Sequence, residues 1–149
     1  EAAMTTAKGL LEKNDLDAAF TKFKAITSNS TNALGAEAKY HMAYVRHLQL
    51  KYTDAEKEVF DLVKKYPSYE HWKARAFILL GDVYVQLDDR FQAKATLQAV
   101  IDNCTEPDLV EQAQDRLDAI TTSELQQTTP QGQEEQLVPM PGTDNTDGE

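Results

Sequence analysis

Three stretches of this chain repeat one apolar spacing, and that repetition restricts the fold more than any other feature. Ala19, Phe23 and Ile26 stand at offsets 0, +4 and +7; Ala55, Val59 and Leu62 repeat those offsets, and so do Ala93, Leu97 and Val100. Side chains at such offsets share one face of an α-helix. Twelve residues before each alanine stands another small residue: Ala7, Ala43 and Gly81. A small side chain at that place on a preceding helix lets the two backbones approach closely. Between small residue and alanine a break is expected each time, at Asn14-Asp15, Thr53-Asp54 and Asp88-Asp89. Thr53 followed by Glu56 reads as a capping box, and Asp89 with Gln92 as a similar arrangement. Each unit is therefore expected to be a helix, a short turn and a second, antiparallel helix.

The pattern predicts helices over about 2–13, 15–28, 34–50, 53–66, 70–87, 89–103 and 107–120. Pro67 and Pro107 agree, because proline is disfavoured inside a helix but tolerated just after its end or in its first turn. The units then span about 1–30, 34–67 and 70–104. Helix 107–120 puts Val110, Ala113, Leu117 and Ile120 on one side and Glu111, Gln114, Asp115 and Asp118 on the other. A stack of helix pairs needs such a terminal helix with a polar outer face. Residues 121–149 read differently: Gln, Thr, Pro, Gly and acid, with Leu125 and the stretch Leu137-Val138-Pro139-Met140-Pro141 as the apolar exceptions. That segment buries too little to offset its conformational entropy and is expected to be an acidic flexible tail.

With the repeats in place, the chain resembles a tetratricopeptide repeat protein. The third unit carries the fullest match: Ala74-Arg75-Ala76-Phe77-Ile78-Leu79-Leu80-Gly81-Asp82-Val83-Tyr84, then Phe91, Ala93, Leu97 and Val100. In the second unit Ala43 replaces glycine, Arg46 stands where tyrosine is usual, and Pro67 closes the unit. The first unit supplies Ala7, Leu10, Asn14-Asp15-Leu16, Ala19, Phe23 and Ile26. The units advance by 36 and then 38 residues where the family has 34, so longer inter-unit loops are expected. The resemblance covers about residues 1–120 and implies an all-α fold: a tetratricopeptide-type α-solenoid of three antiparallel helix pairs plus a C-terminal capping helix. Lys65-Tyr66-Pro67 and Ala93-Lys94-Ala95-Thr96-Leu97 look like bacterial cell-envelope relatives, which favours the periplasm or cell envelope over the cytoplasm. A chain that starts inside a repeat at Glu1 and ends in a cap also looks like the C-terminal part of a longer array, with more protein or a targeting segment upstream.

Composition narrows the functions. The net charge is −10, and six acids with no Lys or Arg fall within residues 121–149, leaving the body only mildly acidic. A field of that sign does not draw nucleic acid or anionic lipid. No apolar run approaches the roughly 18 residues that cross a bilayer, so no direct membrane insertion is expected. One cysteine excludes an internal disulfide framework and any multi-thiolate metal site. His41 and His47 lie on different sides of one helix and His71 in the next unit, so they are expected to be surface or groove histidines rather than metal ligands. Cys104 continues the Ala93–Leu97–Val100 stripe and reads as a half-buried structural thiol. No phosphate loop, metal helix or nucleophile elbow is present, so neither catalysis nor a cofactor is expected.

The leading expectation is a non-catalytic module that binds a protein or peptide segment along the concave face of the stacked pairs. The resemblance assigns the lining of that face to Lys8, Tyr40, Tyr44, His47, Arg75, Asp82 and Gln86. The carboxylate-clamp variety of the family is not matched, because Tyr40, Tyr44, Ile78 and Asp82 occupy its positions. Alternatives are a terminal capping or spacer segment of a longer scaffold, and an accessory domain of a larger enzyme. Lys64, Lys65, Lys73 and Arg75 bracket Tyr66, Tyr69, His71 and Trp72. This cluster either binds an acidic peptide or, as favoured here, packs the inter-unit loop with Trp72 and Tyr69 while the lysines stay solvated. The island Leu137–Pro141 is a candidate for self-association through the same groove.

Overall fold

The computed structural model describes residues 2–128 of the chain. Seven helices follow one another: α1 (Ala2–Glu12), α2 (Leu16–Ser28), α3 (Ala33–Leu48), α4 (Tyr52–Lys65), α5 (Glu70–Gln86), α6 (Arg90–Asn103) and α7 (Pro107–Thr128). Among the described residues every regular element is helical. The chain divides into two units, with the boundary between Leu117 and Asp118. In the first unit, each helix from α1 to α6 packs on its neighbour in sequence, and α3 also packs on α1 and α5. The first helices α1, α3 and α5 thus form one layer, with α2, α4 and α6 against it.

The repeated stripes hold the layers together. Ala19, Phe23, Ala55, Val59, Leu62, Ala93 and Leu97 have no exposed surface; Ile26 and Val100 are nearly as buried. The small residues face them. Ala7 and Ala43 are fully enclosed, and a Cβ built on Gly81 would lie 2.8 Å from Cγ of Leu97. Gly81 is therefore the place where α5 and α6 come too close for any side chain.

Each first helix ends by the same device. Asn14, Leu50 and Asp88 adopt left-handed backbone, with φ of 64°, 63° and 59°. The next residue's N–H reaches back to a helix carbonyl: Asp15 to Leu10 and Lys51 to Arg46 at 2.9 Å, Asp89 to Tyr84 at 2.8 Å. These are Schellman caps, which satisfy carbonyls that the helix end would leave unpaired. Asn and Asp tolerate that backbone; leucine does not, and Leu50 makes no compensating burial because it is 70% exposed. Leu50→Gly is expected to raise stability by about 1 kcal/mol, measured as a shifted urea midpoint at constant slope.

Two local expectations are corrected here. The second break lies at Leu50-Lys51, not Thr53-Asp54; α4 starts at Tyr52 and its N-cap Lys51 makes no side-chain cap. The Thr53–Glu56 box does not form, since Thr53 already sits in the first turn and the Glu56 carboxylate accepts from the Tyr84 hydroxyl at 2.6 Å. Burial together with that bond pushes the Tyr84 hydroxyl far above its usual range. Asp89 does cap: Oδ1 accepts from the Gln92 N–H at 3.1 Å.

The final helix also differs from expectation. α7 runs to Thr128, eight residues beyond the predicted end at 120, so residues 121–128 are helix rather than flexible tail. Glu124, Leu125, Gln126 and Gln127 are good helix formers, and nothing interrupts them before Pro130, which disfavours helical backbone at the residue before it. Leu109 and Ala113, rather than Val110, are its most buried residues within the first unit. The Leu137–Pro141 island and the rest of the expected tail lie outside the described residues.

Tyr66 joins the first two pairs. It is 1% exposed, and its hydroxyl donates to the Ser30 carbonyl at 2.7 Å. Tyr69 meets its ring edge-on. Lys65, exposed as expected, and Lys73 also donate to the carbonyls of Thr27 at 2.9 Å and Pro67 at 3.0 Å. The inter-unit loops are pinned by such side-chain bonds to backbone oxygens.

Candidate functional site

The free face of the first-helix layer gathers rings and charges from three helices. On α3, Tyr40 and Tyr44 stand one turn apart with rings nearly parallel, 6° between planes and 6.4 Å between centroids. Trp72 of α5 lies 5.7 Å from Tyr40. The Arg75 guanidinium sits over both, 4.7 Å from the Tyr40 centroid and 5.2 Å from that of Trp72. Two turns of α5 further, the Asp82 carboxylate receives Nε of Arg116 from α7 at 3.0 and 3.1 Å. Tyr40, Tyr44, Arg75, Asp82 and Arg116, with Ile78 among them, enclose a cleft of about 80 Å3. All belong to the first unit.

Of the seven residues assigned to this face, four therefore meet in one cleft: Tyr40, Tyr44, Arg75 and Asp82. His47 lies beyond the cleft's lining, edge-on to Tyr52 at 5.6 Å. Burial holds its imidazole below the ordinary range, against the pull of Asp82. Lys8 pairs with Glu37 at 2.5 Å, away from the cleft lining. Gln86, in the last turn of α5, is exposed and does not join.

Three further residues belong to the face. Arg116 holds Asp82, and Glu37 takes Lys8. Trp72 was expected to pack the inter-unit loop; it turns to the α3 rings instead, because position 72 is one helical turn before Arg75 and shares its side. The aromatic and basic cluster thus splits, Tyr69 and Lys65 serving the loop while Trp72 and Arg75 serve the face.

His41 is not a surface histidine. Its ring stacks on Phe23 at 4.9 Å, its side chain is 14% exposed, and its Nδ1 is buried without a hydrogen-bond partner. Burial pushes its pKa down to about 4, outweighing the raising effect of Glu37, while Lys8 and Arg75 add to the fall. The consequence for stability has a definite sign. The unfolded chain takes up this proton near the ordinary value of 6.5 and the folded chain only near 4, so acid favours unfolding. The contribution is complete above about pH 6.5 and disappears as the pH falls towards 4. Urea midpoints should fall across that window, and His41→Phe should flatten the fall.

Two larger clefts lie elsewhere. One of about 330 Å3 separates α5 from α6 beside Phe77, Ala99 and Cys104; one of about 340 Å3 lies beside Ala3, Ala25 and Ser30. They occupy the same register of the first and third pairs. In the middle pair that register holds Lys39, bonded to Glu58 at 2.7 Å and Asp61 at 3.5 Å, and Tyr66, which together fill the space. Cys104 is half-buried, as its stripe position predicts. Among the described residues no three His, Cys, Asp or Glu side chains gather as a metal site would need, and no helix is long and apolar enough to cross a membrane.

Paired helices, a close Gly81 contact and a ring-lined first-helix face agree with a comparison against protein families, in which the tetratricopeptide repeat-like domain matches residues 1–126. The chain belongs to the tetratricopeptide repeat-like family. Members of this family are helical repeat modules that generally mediate protein interactions and are generally non-catalytic. The match continues past residue 120 into the last turns of α7, in keeping with the length of that helix. A comparison with curated proteins gave no match.

Proposed function

We propose that this tetratricopeptide repeat-like domain binds an extended peptide segment of a partner protein on its first-helix face, across Tyr40, Tyr44, Trp72 and Arg75. The observation that carries this reading is the ring cluster itself. Tyr44 and Trp72 are half-buried, leaving aromatic surface in contact with solvent beside a charged group. Tyrosine, tryptophan and arginine dominate the energetics of protein interfaces, because they bring large rigid area with a polar end. The rings are also held before any partner arrives, by stacking on one another and under Arg75, so little side-chain freedom is lost on binding. Lys65-Tyr66-Pro67 and the Ala93–Leu97 wording favour a bacterial cell-envelope setting for that partner.

The test uses the full chain and an array of N-acetylated, C-amidated peptides. The only tryptophan is Trp72, so its fluorescence reports occupancy of the face directly. Tyr44→Ala should weaken the tightest peptides at least about tenfold, the size of a modest hot spot, with an unchanged melting temperature. Absence of saturable binding by any peptide up to millimolar concentration refutes the proposal.

A further inference from the structure

The charges of the first-helix face are paired with one exception. Lys8 has Glu37 at 2.5 Å and Arg116 has Asp82 at 3.0 Å. Among the described residues Arg75 has no carboxylate at ion-pair distance; it lies over Tyr40 and Trp72 and also engages the Tyr40 hydroxyl. The five N–H donors of a guanidinium point outward in its plane, more than the Tyr40 hydroxyl alone can use. The two rings, whose centroids are 5.7 Å apart, brace the guanidinium from one side and thin the water around the charge, which strengthens any ion pair made there. The cleft beside it is small and mostly polar, with Ile78 and Leu79 nearly buried at its base.

From this we infer that the partner segment presents a carboxylate side chain to Arg75. The inference rests on the peptide-binding reading above and specifies its ligand. Charge complementarity carries it: the rest of the face is neutralised internally, and one positive group at its centre remains uncompensated. The overall charge of −10 opposes an acidic partner, but much of it lies in residues 121–149, and within about a Debye length of Arg75 the local charge governs. Asp82 does not quench the site, because Arg116 engages both of its oxygens. An arginine braced against two rings suits a planar carboxylate bidentately, whereas a lysine would offer a point charge.

The experiment compares two series of N-acetylated, C-amidated hexapeptides, identical except for Glu or Gln at one central position followed by Leu, Phe or Val. Each is titrated into the full-length chain and followed by Trp72 fluorescence at low and at physiological salt. The expected result is a preference for the Glu series of about tenfold, the order of a charge-assisted hydrogen bond over a neutral one. The preference should shrink with salt, vanish in Arg75→Gln and persist in part in Arg75→Lys. A third series, with Gln at the centre and a free C-terminus, separates a terminal carboxylate from a side-chain one; a preference confined to that series overturns the assignment. So does equal binding of the Glu and Gln series to wild type, which leaves peptide binding itself intact. A Glu preference that survives in Arg75→Gln moves the anchor to Arg116 and also overturns it. Failure of every series to bind refutes the underlying reading instead.

Discussion

Phe23→Ala should cost about 3–5 kcal/mol, the range for truncating a fully buried aromatic ring. Phe23 has no exposed surface and lies among Met4, Ala7, Ala19, Ile26, Ala38, Met42 and Val45, drawn from α1, α2 and α3. Its neighbours cannot collapse into the space, because three of them are alanines fixed on helix backbones. Against a typical total of about 5–15 kcal/mol, such a loss is a large fraction of the whole. The repeat architecture also localises it. Each pair contacts mainly the next, so the first pair should open while α5 and α6 keep their protection in hydrogen exchange. A second readout comes from His41, which loses its stacking partner and gains water. Its pKa should rise from about 4 towards 6.5, visible as a shifted imidazole titration. Uniform destabilisation of all three pairs, or a loss below about 1 kcal/mol, would contradict this account of the core.

The helices were legible in the sequence because stripe and small residue recur together. No single stripe decides between helices, but three copies in one register fix both helices of each pair. The same register carried information that local chemistry overrode. Adding the repeat advance to Asn14 lands on Leu50 and then on Asp88, the three residues with left-handed backbone. Thr53-Asp54 misled because its residue types favour a cap, while leucine gives no sign that it ends a helix. The length of α7 was hidden for a different reason: polarity was taken for flexibility, although glutamine and glutamate are strong helix formers.

The face was only partly legible. Family offsets on the first helices brought Tyr40, Tyr44, Arg75 and Asp82 to one cleft, because those positions are set by helix geometry alone. Trp72 stood within reach of the same reasoning, three residues before Arg75. Glu37 likewise precedes Tyr40 by three and His41 by four. Arg116 was not within reach. Its place opposite Asp82 depends on how α7 settles against α5, a tertiary fact that no spacing within either helix encodes. Gln86 and His47 stand in the last turns of α5 and α3 and do not line the cleft.

Three glycines inside helices should answer one substitution in three ways, and Gly35 gives the largest effect. Exchanging glycine for alanine within a helix is ordinarily stabilising by about 0.5–1 kcal/mol, because the unfolded chain loses freedom. Gly9, on α1, has nothing within 4 Å of an added Cβ, so Gly9→Ala should show that gain. Gly81 meets Leu97 at 2.8 Å, and a buried leucine can yield only by leaving its rotamer; the gain should be cancelled or reversed by about 1–3 kcal/mol. At Gly35 the added carbon falls against the Ser30 carbonyl oxygen and 2.5 Å from the Tyr66 hydroxyl, the two ends of one buried hydrogen bond. Neither is a flexible tip: one is backbone, and the other belongs to a ring that is 1% exposed. Relief requires parting the bond, which leaves the Ser30 carbonyl without this donor and the hydroxyl with only the longer Thr27 contact at 3.5 Å, a loss of about 1–3 kcal/mol beyond the overpacking. Gly35→Ala should therefore destabilise by about 2–5 kcal/mol in urea unfolding. Adding Tyr66→Phe, which removes the hydroxyl from the clash, should recover part of that loss. If Gly35→Ala stabilises as Gly9→Ala does, α3 and the loop before it do not approach as closely as described, and the junction between the first two pairs is held by something else.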